Sequence, residues 1–149
     1  MIHHSATRQG SARHFERYHK KRGMKNGLAY HFVINNGTSG REDGELEIGS
    51  RWKKQLDGGH CKQRWVNHHG IGICLVGNFS KQKVTKKQFK TLYKLCQLLM
   101  DQYQIPVANV IGHGQMRGEH SKCPGKNFPM SELKKILIRY QKIQKNFVP

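Results

Sequence analysis

Residue types that bind transition metals stand at both ends of this sequence. It opens "MIHHSAT", with His3 and His4 side by side, and later runs "IGHGQMRGEHSKCPGKNFP", where His113 stands ten residues before Cys123. Imidazole and thiolate are both suitable zinc ligands, and a catalytic zinc takes three protein ligands while leaving a fourth position for water. One histidine of the opening segment, together with His113 and Cys123, satisfies that count. Pro124 and Gly125, directly after the cysteine, would hold its turn rigid. If "IHHSAT" starts as a strand, neighbouring side chains point to opposite faces, so only one of His3 and His4 can face a given site. The spacing by itself is a weak signal, and it fits an ordinary loop histidine and a half-exposed cysteine better than a metal site.

The remaining histidines and cysteines ask for no special chemistry. His14, His19, His68, His69 and His120 lie in polar surroundings and read as surface residues. Cys74 and Cys96 sit among apolar residues and read as small core side chains. Cys61, in "GGHCKQ", reads as a free thiol in a polar loop. No C-x-x-C pair and no disulfide-framework spacing is present.

Several elements must position these residues. "SARHFERYHKKRG" predicts a helix with Ser11 as N-cap, with Phe15, Tyr18 and His19 on one face and Gly23 as its stop. "LAYHFVINNG" predicts a strand ending in a hairpin at Asn36-Gly37, with "ELEIGSRW" as the returning strand. "GIGICLVGNF" is almost wholly apolar and predicts a strand buried on both faces. Thr85 and Gln88 form a capping box. Phe89, Leu92, Tyr93, Cys96, Leu99, Met100 and Tyr103 then repeat at helical spacing, and Pro106 ends the run. "VIGH" predicts one more short strand leading into His113. A last helix starts near Ser131 and turns Leu133, Ile136, Leu137 and Tyr140 inward. Strands and helices mixed in this order give an α/β fold, a central mixed sheet flanked by helices.

At 149 residues, without internal repeat or low-complexity linker, the chain parses as one domain over 1–149. Hydrophobic residues make up 36% and charged residues 24%, which excludes a disordered composition. No apolar run approaches a membrane span, and the start lacks the apolar stretch of a signal peptide. Location stays open between the cytoplasm, export with a signal removed and release by some other agent. The 27 Lys and Arg against 9 Asp and Glu give a formal charge of +18, spread along the whole chain. That charge implies an anionic partner without naming it.

Taken together, "IHHSAT", "GLAYHFVI", "GGHC…VNHHGIGICLVGNF" and "GHGQMRGEHSKCPG" resemble the zinc-dependent N-acetylmuramoyl-L-alanine amidases, a family that includes the phage T7-type lysozymes and the peptidoglycan recognition proteins. The four blocks run in the family's order from residue 2 to about residue 129. The resemblance implies Zn²⁺ held by His3, His113 and Cys123. It places Tyr30 near the reacting water and the scissile carbonyl, and it gives Ser121 or Lys122 the role of stabilising the developing oxyanion. His31, His60 and Asn67 fall at positions that line the substrate groove. Cys74 stands where a cytoplasmic branch of the family carries a glutamate, so the chain is similar to the tyrosine-using branch. The reaction implied is hydrolysis of the amide joining the lactyl group of N-acetylmuramic acid to L-alanine. The partners implied are peptidoglycan or muropeptides, with other anionic wall polymers drawn to the basic surface. A small hydrolase of this kind is expected to be a monomer.

Three features depart from the family's pattern. Gly114-Gln115 stands where Arg-Asp usually follows the second histidine, so an aspartate that would orient loop and ligand is missing. Ser121 stands two before the metal cysteine, where active relatives carry Lys or Thr. Only Met1 and Ile2 precede His3, where relatives have several residues, so either the front is trimmed or the first strand is frayed. A frayed strand would couple metal binding strongly to folding. A recognition module without catalysis is the alternative reading, although such modules usually lack the cysteine ligand. A nucleic-acid-binding protein with structural zinc would need a closed four-ligand site and aromatics among its basic residues, and the sequence offers neither.

Overall fold

The computed structural model describes residues 1–147. Strands β1 (Ile2–His4), β2 (Phe32–Asn36), β3 (Asp43–Ile48) and β4 (Ile73–Leu75) form one sheet in the order β1-β4-β2-β3. The first three strands of that order run parallel, and β3 pairs antiparallel with β2. This is the α/β fold with a mixed central sheet that the sequence predicts. Strand β4 lies inside the sheet and is buried throughout, which is why "ICL" has no polar alternation. Strand β3, at the edge, reads "DGELEI" and stays only partly covered, its acidic side chains guarding the open edge.

Side-chain alternation sends the strands' residues to two different cores. Ile2, Phe32, Ile34, Ile73 and Leu75 point to the larger one. There they meet helix α4 (Lys86–Tyr103) through Leu92 and Leu99, and helix α5 (Met130–Phe147) through Leu133 and Leu137. Val33, Cys74 and Val76 point to the other face, where Phe15 of helix α1 (Ala12–Lys21) packs with Leu28 and Tyr30. Both predicted caps form. Ser11 Oγ accepts the His14 N–H, and Thr85 and Gln88 make the complete capping box. Gln88 is fully buried, and its amide donates to Ile34 O and Val76 O, tying the start of α4 to the ends of β2 and β4.

Some local expectations are corrected. The returning strand starts at Asp43 and stops at Ile48, and Ser50–Lys53 coils instead into a short helix, α2. "VIGH" forms no strand. A single bridge joins Ile2 to Gly112, and His113–Gln115 tightens into a 3₁₀ turn. Helix α3 (Arg64–His69) escaped the sequence reading because only Val66 of its residues is buried, so no apolar stripe marks it. Tyr18 and Tyr103 are exposed by half or more, so neither belongs to an inward face. His19 is not a free surface residue, for its Nδ1 accepts the Ala29 N–H at 3.1 Å and its ring stands against Tyr30.

Candidate metal centre

Strand parity selects His3 over His4. In β1, His3 aligns with Cys74 of β4 and so faces the same side as Val33, Tyr30 and Val76, where it is 2% exposed. His4 turns to the other face, and its Nδ1 accepts the Phe79 N–H at 3.1 Å. The bridge between Ile2 and Gly112 sets the next residue, His113, beside His3, with ring centroids 4.7 Å apart. Cys123 arrives from the following loop, its carbonyl bonded by Gly114 N–H at 2.7 Å. The two turns approach so closely that a Cβ on Gly114 would lie 2.0 Å from Ser121 O, so a glycine is required there.

His3, His113 and Cys123 thus bring three ligand atoms within 4.8 Å of one another. A tetrahedral zinc spaces such atoms about 3.3–3.6 Å apart, so this N, N, S set fits the ion with small side-chain movements. Cys123 Sγ already lies 3.8 Å from His3 Nδ1 and accepts the His4 backbone N–H at 3.3 Å.

Hydrogen bonding behind His3 fixes which nitrogen it offers. His60 Nε2 lies 3.4 Å from Gly70 O, an acceptor only, so this nitrogen of His60 carries the proton. His60 Nδ1 is then the acceptor for His3 Nε2–H at 3.1 Å, which leaves the lone pair of His3 on Nδ1, facing Cys123. Burial is the main reason that His3 titrates well below the ordinary imidazole range, with His60 and His113 adding repulsion. Burial likewise takes His60 down to about 3, so both rings stay neutral at physiological pH. The Cys123 thiol is pushed up to about 11 by burial, partly offset by the His4 N–H, and a bound cation would reverse that balance.

The other residues singled out from sequence divide into two groups. Tyr30 stands at the centre, its ring centroid 5.2 Å from that of His3. Burial raises its hydroxyl well above the ordinary phenol range, so it remains a proton donor. Ser121 Oγ accepts the Cys123 N–H at 3.1 Å, leaving its own hydroxyl proton free to donate. Lys122 is exposed and, with Ser121 and Cys123, lines a cavity of 520 Å³. The remaining three brace the scaffold. His31 is 8% exposed, and its Nδ1 accepts the Gly72 N–H at 3.0 Å. His60 is 5% exposed, behind His3. Asn67 accepts the His60 N–H at 2.9 Å and donates to Cys61 O at 2.8 Å, closing the loop that carries His60.

One residue of the centre was missed. Glu119 has a side chain only 3% exposed, with Oε2 lying 3.1 Å from His113 Nε2. That contact is at ion-pair distance without hydrogen-bond alignment, and among the described residues no hydrogen-bond partner meets this nitrogen. The available signal was composition: Glu119 is the one acidic residue between Asp101 and Glu132.

Comparison with known proteins shows the family. Residues 1–126 match the family profile of N-acetylmuramoyl-L-alanine amidases, a span holding all three ligand candidates. The endolysin of Escherichia phage T7 is 29% identical over 143 residues, covering 91% of this chain and 82% of its own length. The solved N-acetylmuramoyl-L-alanine amidase LysC from Clostridium intestinale URNW superposes with a TM-score of 0.79 at 31% identity, covering 92% of this chain and 82% of that one. Bumblebee PGRP-SA, at 21% identity and a TM-score of 0.70 over 91% of this chain and 79% of its own, shares the fold. Its sequence matched from the strand that carries His3 to the turn that carries Cys123, this chain belongs to the N-acetylmuramoyl-L-alanine amidase family.

Proposed function

We propose that this protein is a zinc-dependent hydrolase of the amide between the lactyl group of N-acetylmuramic acid and the L-alanine of the peptidoglycan stem peptide. The observation that carries this reading is the convergence of His3, His113 and Cys123 to within 4.8 Å, beside Tyr30, in a chain of the amidase family. His3 and His113 would hold the ion through ring nitrogens and Cys123 through its thiolate. A zinc ion there supplies Lewis-acid activation of the scissile carbonyl and of water. Tyr30 Oη–H, kept protonated by burial, donates to the oxygen that gains charge as the carbonyl is attacked. The Ser121 hydroxyl donates to the same oxygen from the opposite loop, and Lys122 at the cavity rim adds positive charge. His60 and Asn67 shape the loop over which the substrate lies, and His31 anchors that loop from beneath.

The substrate is read as assembled wall, because the phage relatives are endolysins and a +18 chain concentrates on an anionic polymer. Purified peptidoglycan incubated with the protein should release stem peptides beginning with L-alanine. A chelator should abolish release and zinc should restore it, while Cys123→Ser should lose metal and activity together. Zinc bound at one per chain without peptide release would instead identify a wall-recognition module. Peptide release that survives complete metal removal would overturn the zinc reading.

A further inference from the structure

Gln115, at the place where the missing aspartate was expected, does not reach His113. Its Oε1 accepts the Gly112 N–H at 2.8 Å and closes the turn on itself. The carboxylate in contact with His113 comes instead from Glu119, four residues further along. That carboxylate has a neighbour at each oxygen. Oε1 accepts the Lys62 N–H at 2.7 Å, and Oε2 lies against His113 Nε2. The Glu119 N–H closes a turn on Met116 O at 3.0 Å, so the backbone beneath the side chain is also fixed.

We propose that Glu119 is a positioning residue that sets the tautomer of His113, holding the proton on Nε2 so that Nδ1 presents its lone pair to the ion. The inference rests on the zinc reading for its purpose, though not for its geometry. With Oε1 taken up by the Lys62 N–H, the second carboxylate oxygen faces His113 Nε2, and an acceptor oxygen at a ring nitrogen pairs with the nitrogen that carries hydrogen. His3 and His113 are then matched, since each has an acceptor facing its Nε2 from behind, His60 Nδ1 for one and Glu119 Oε2 for the other. Outer partners of this kind are worth about 10–100-fold in metal affinity. Because its other oxygen holds Lys62, Glu119 also locks the His113 turn to the loop that follows His60.

The substitution that separates positioning from packing is Glu119→Gln. Lys62 N–H requires an oxygen, so the amide must turn its NH₂ toward His113 Nε2. A donor there favours the lone pair on Nε2 and moves the proton to Nδ1, the nitrogen needed for metal. Glu119→Ala leaves Nε2 to solvent, which accepts a proton as readily as it gives one. Zinc affinity of the full chain, measured by chelator competition, should therefore fall in the order wild type, Ala, Gln, with Gln weaker by about 10–100-fold. Cobalt in place of zinc should show weakened visible bands in the Gln variant. A purely structural role predicts the reverse order, because Gln preserves the volume of Glu, and that order would overturn the proposal. Long-range ¹H–¹⁵N spectra of the metal-free protein test the tautomer directly. Hydrogen on Nε2 of His113 in the wild type supports the proposal, and hydrogen on Nδ1 refutes it even if no variant folds. If the wild type bound no zinc while His113 kept hydrogen on Nε2, the zinc reading would fail and the positioning role would stand.

Discussion

Tyr30 is the residue on which chemistry and metal binding can be separated. Its ring lies against His3, yet its hydroxyl belongs to no ligand set, and burial keeps that hydroxyl protonated. Tyr30→Phe should therefore retain zinc at one per chain while kcat falls by about 10²-fold, the usual cost of removing one oxyanion donor. Equal activity in the variant would move the oxyanion role entirely to Ser121 and Lys122. At this scale much of the centre could be read in advance. Parity along "IHH" says that one histidine must turn away, and Cys123-Pro124-Gly125 announces a fixed turn. What could not be read is the layer behind the ligands. The bond from His3 to His60 joins residues 57 apart, and the contact between His113 and Glu119 exists only because the chain doubles back on itself. No periodicity encodes a contact made by two irregular loops.

Elements differ in how plainly sequence declares them, and the reason is how many of their residues report burial. Helix α4 has 18 residues, a complete capping box and six buried positions, so its pattern is unmistakable. Strands β1 and β4 have three residues each, too few to show a period, and β4 is recognisable only because both of its faces are covered. "VIGH" looks like a strand by composition but finds one bridge, since the edge of β1 beside it is only three residues long. The turns that carry His113 and Cys123 depend on Gly114 rather than on any regular element. In Gly114→Ala, the added methyl would meet Ser121 O at 2.0 Å and Cys123 O at 3.0 Å, so the two turns must separate. Zinc affinity should fall by at least tenfold, the range seen when ligand orientation is disturbed, and chelator competition will measure it. Because Gly114, Ser121 and Cys123 are only partly buried, metal-free thermal unfolding should shift by only a few degrees. Unchanged zinc affinity would show that the turns can part without disturbing the ligands.

For the whole molecule, net charge is legible from composition alone, but its distribution is not. Four of the nine acidic residues, Glu42, Asp43, Glu45 and Glu47, fall between positions 42 and 47, at the edge strand. There Arg41 pairs with Glu45 and Glu47, and Asp43 accepts the Thr85 hydroxyl. Glu119 is buried against His113. The acids are therefore largely engaged within the protein. Lys86, Lys87, Lys90 and Lys94 stand exposed along α4, and Lys122 and Lys126 flank Cys123. Lys122 and Lys126 thus set positive charge on the loop that carries Cys123, and a polyanionic wall would be drawn to that loop as well as to α4. Screening distinguishes this attraction from the chemistry. Raising salt from about 50 to about 300 mM shortens the Debye length from about 14 to about 6 Å, which screens exposed lysines from an anionic polymer. Binding to purified walls, measured by co-sedimentation, should weaken by about tenfold or more over that range. Hydrolysis of a small soluble muropeptide, which reaches the centre without needing the wider surface, should change by no more than about twofold. If both fell together, the salt would be acting at the centre itself. If neither moved, the +18 charge would have no part in finding the wall.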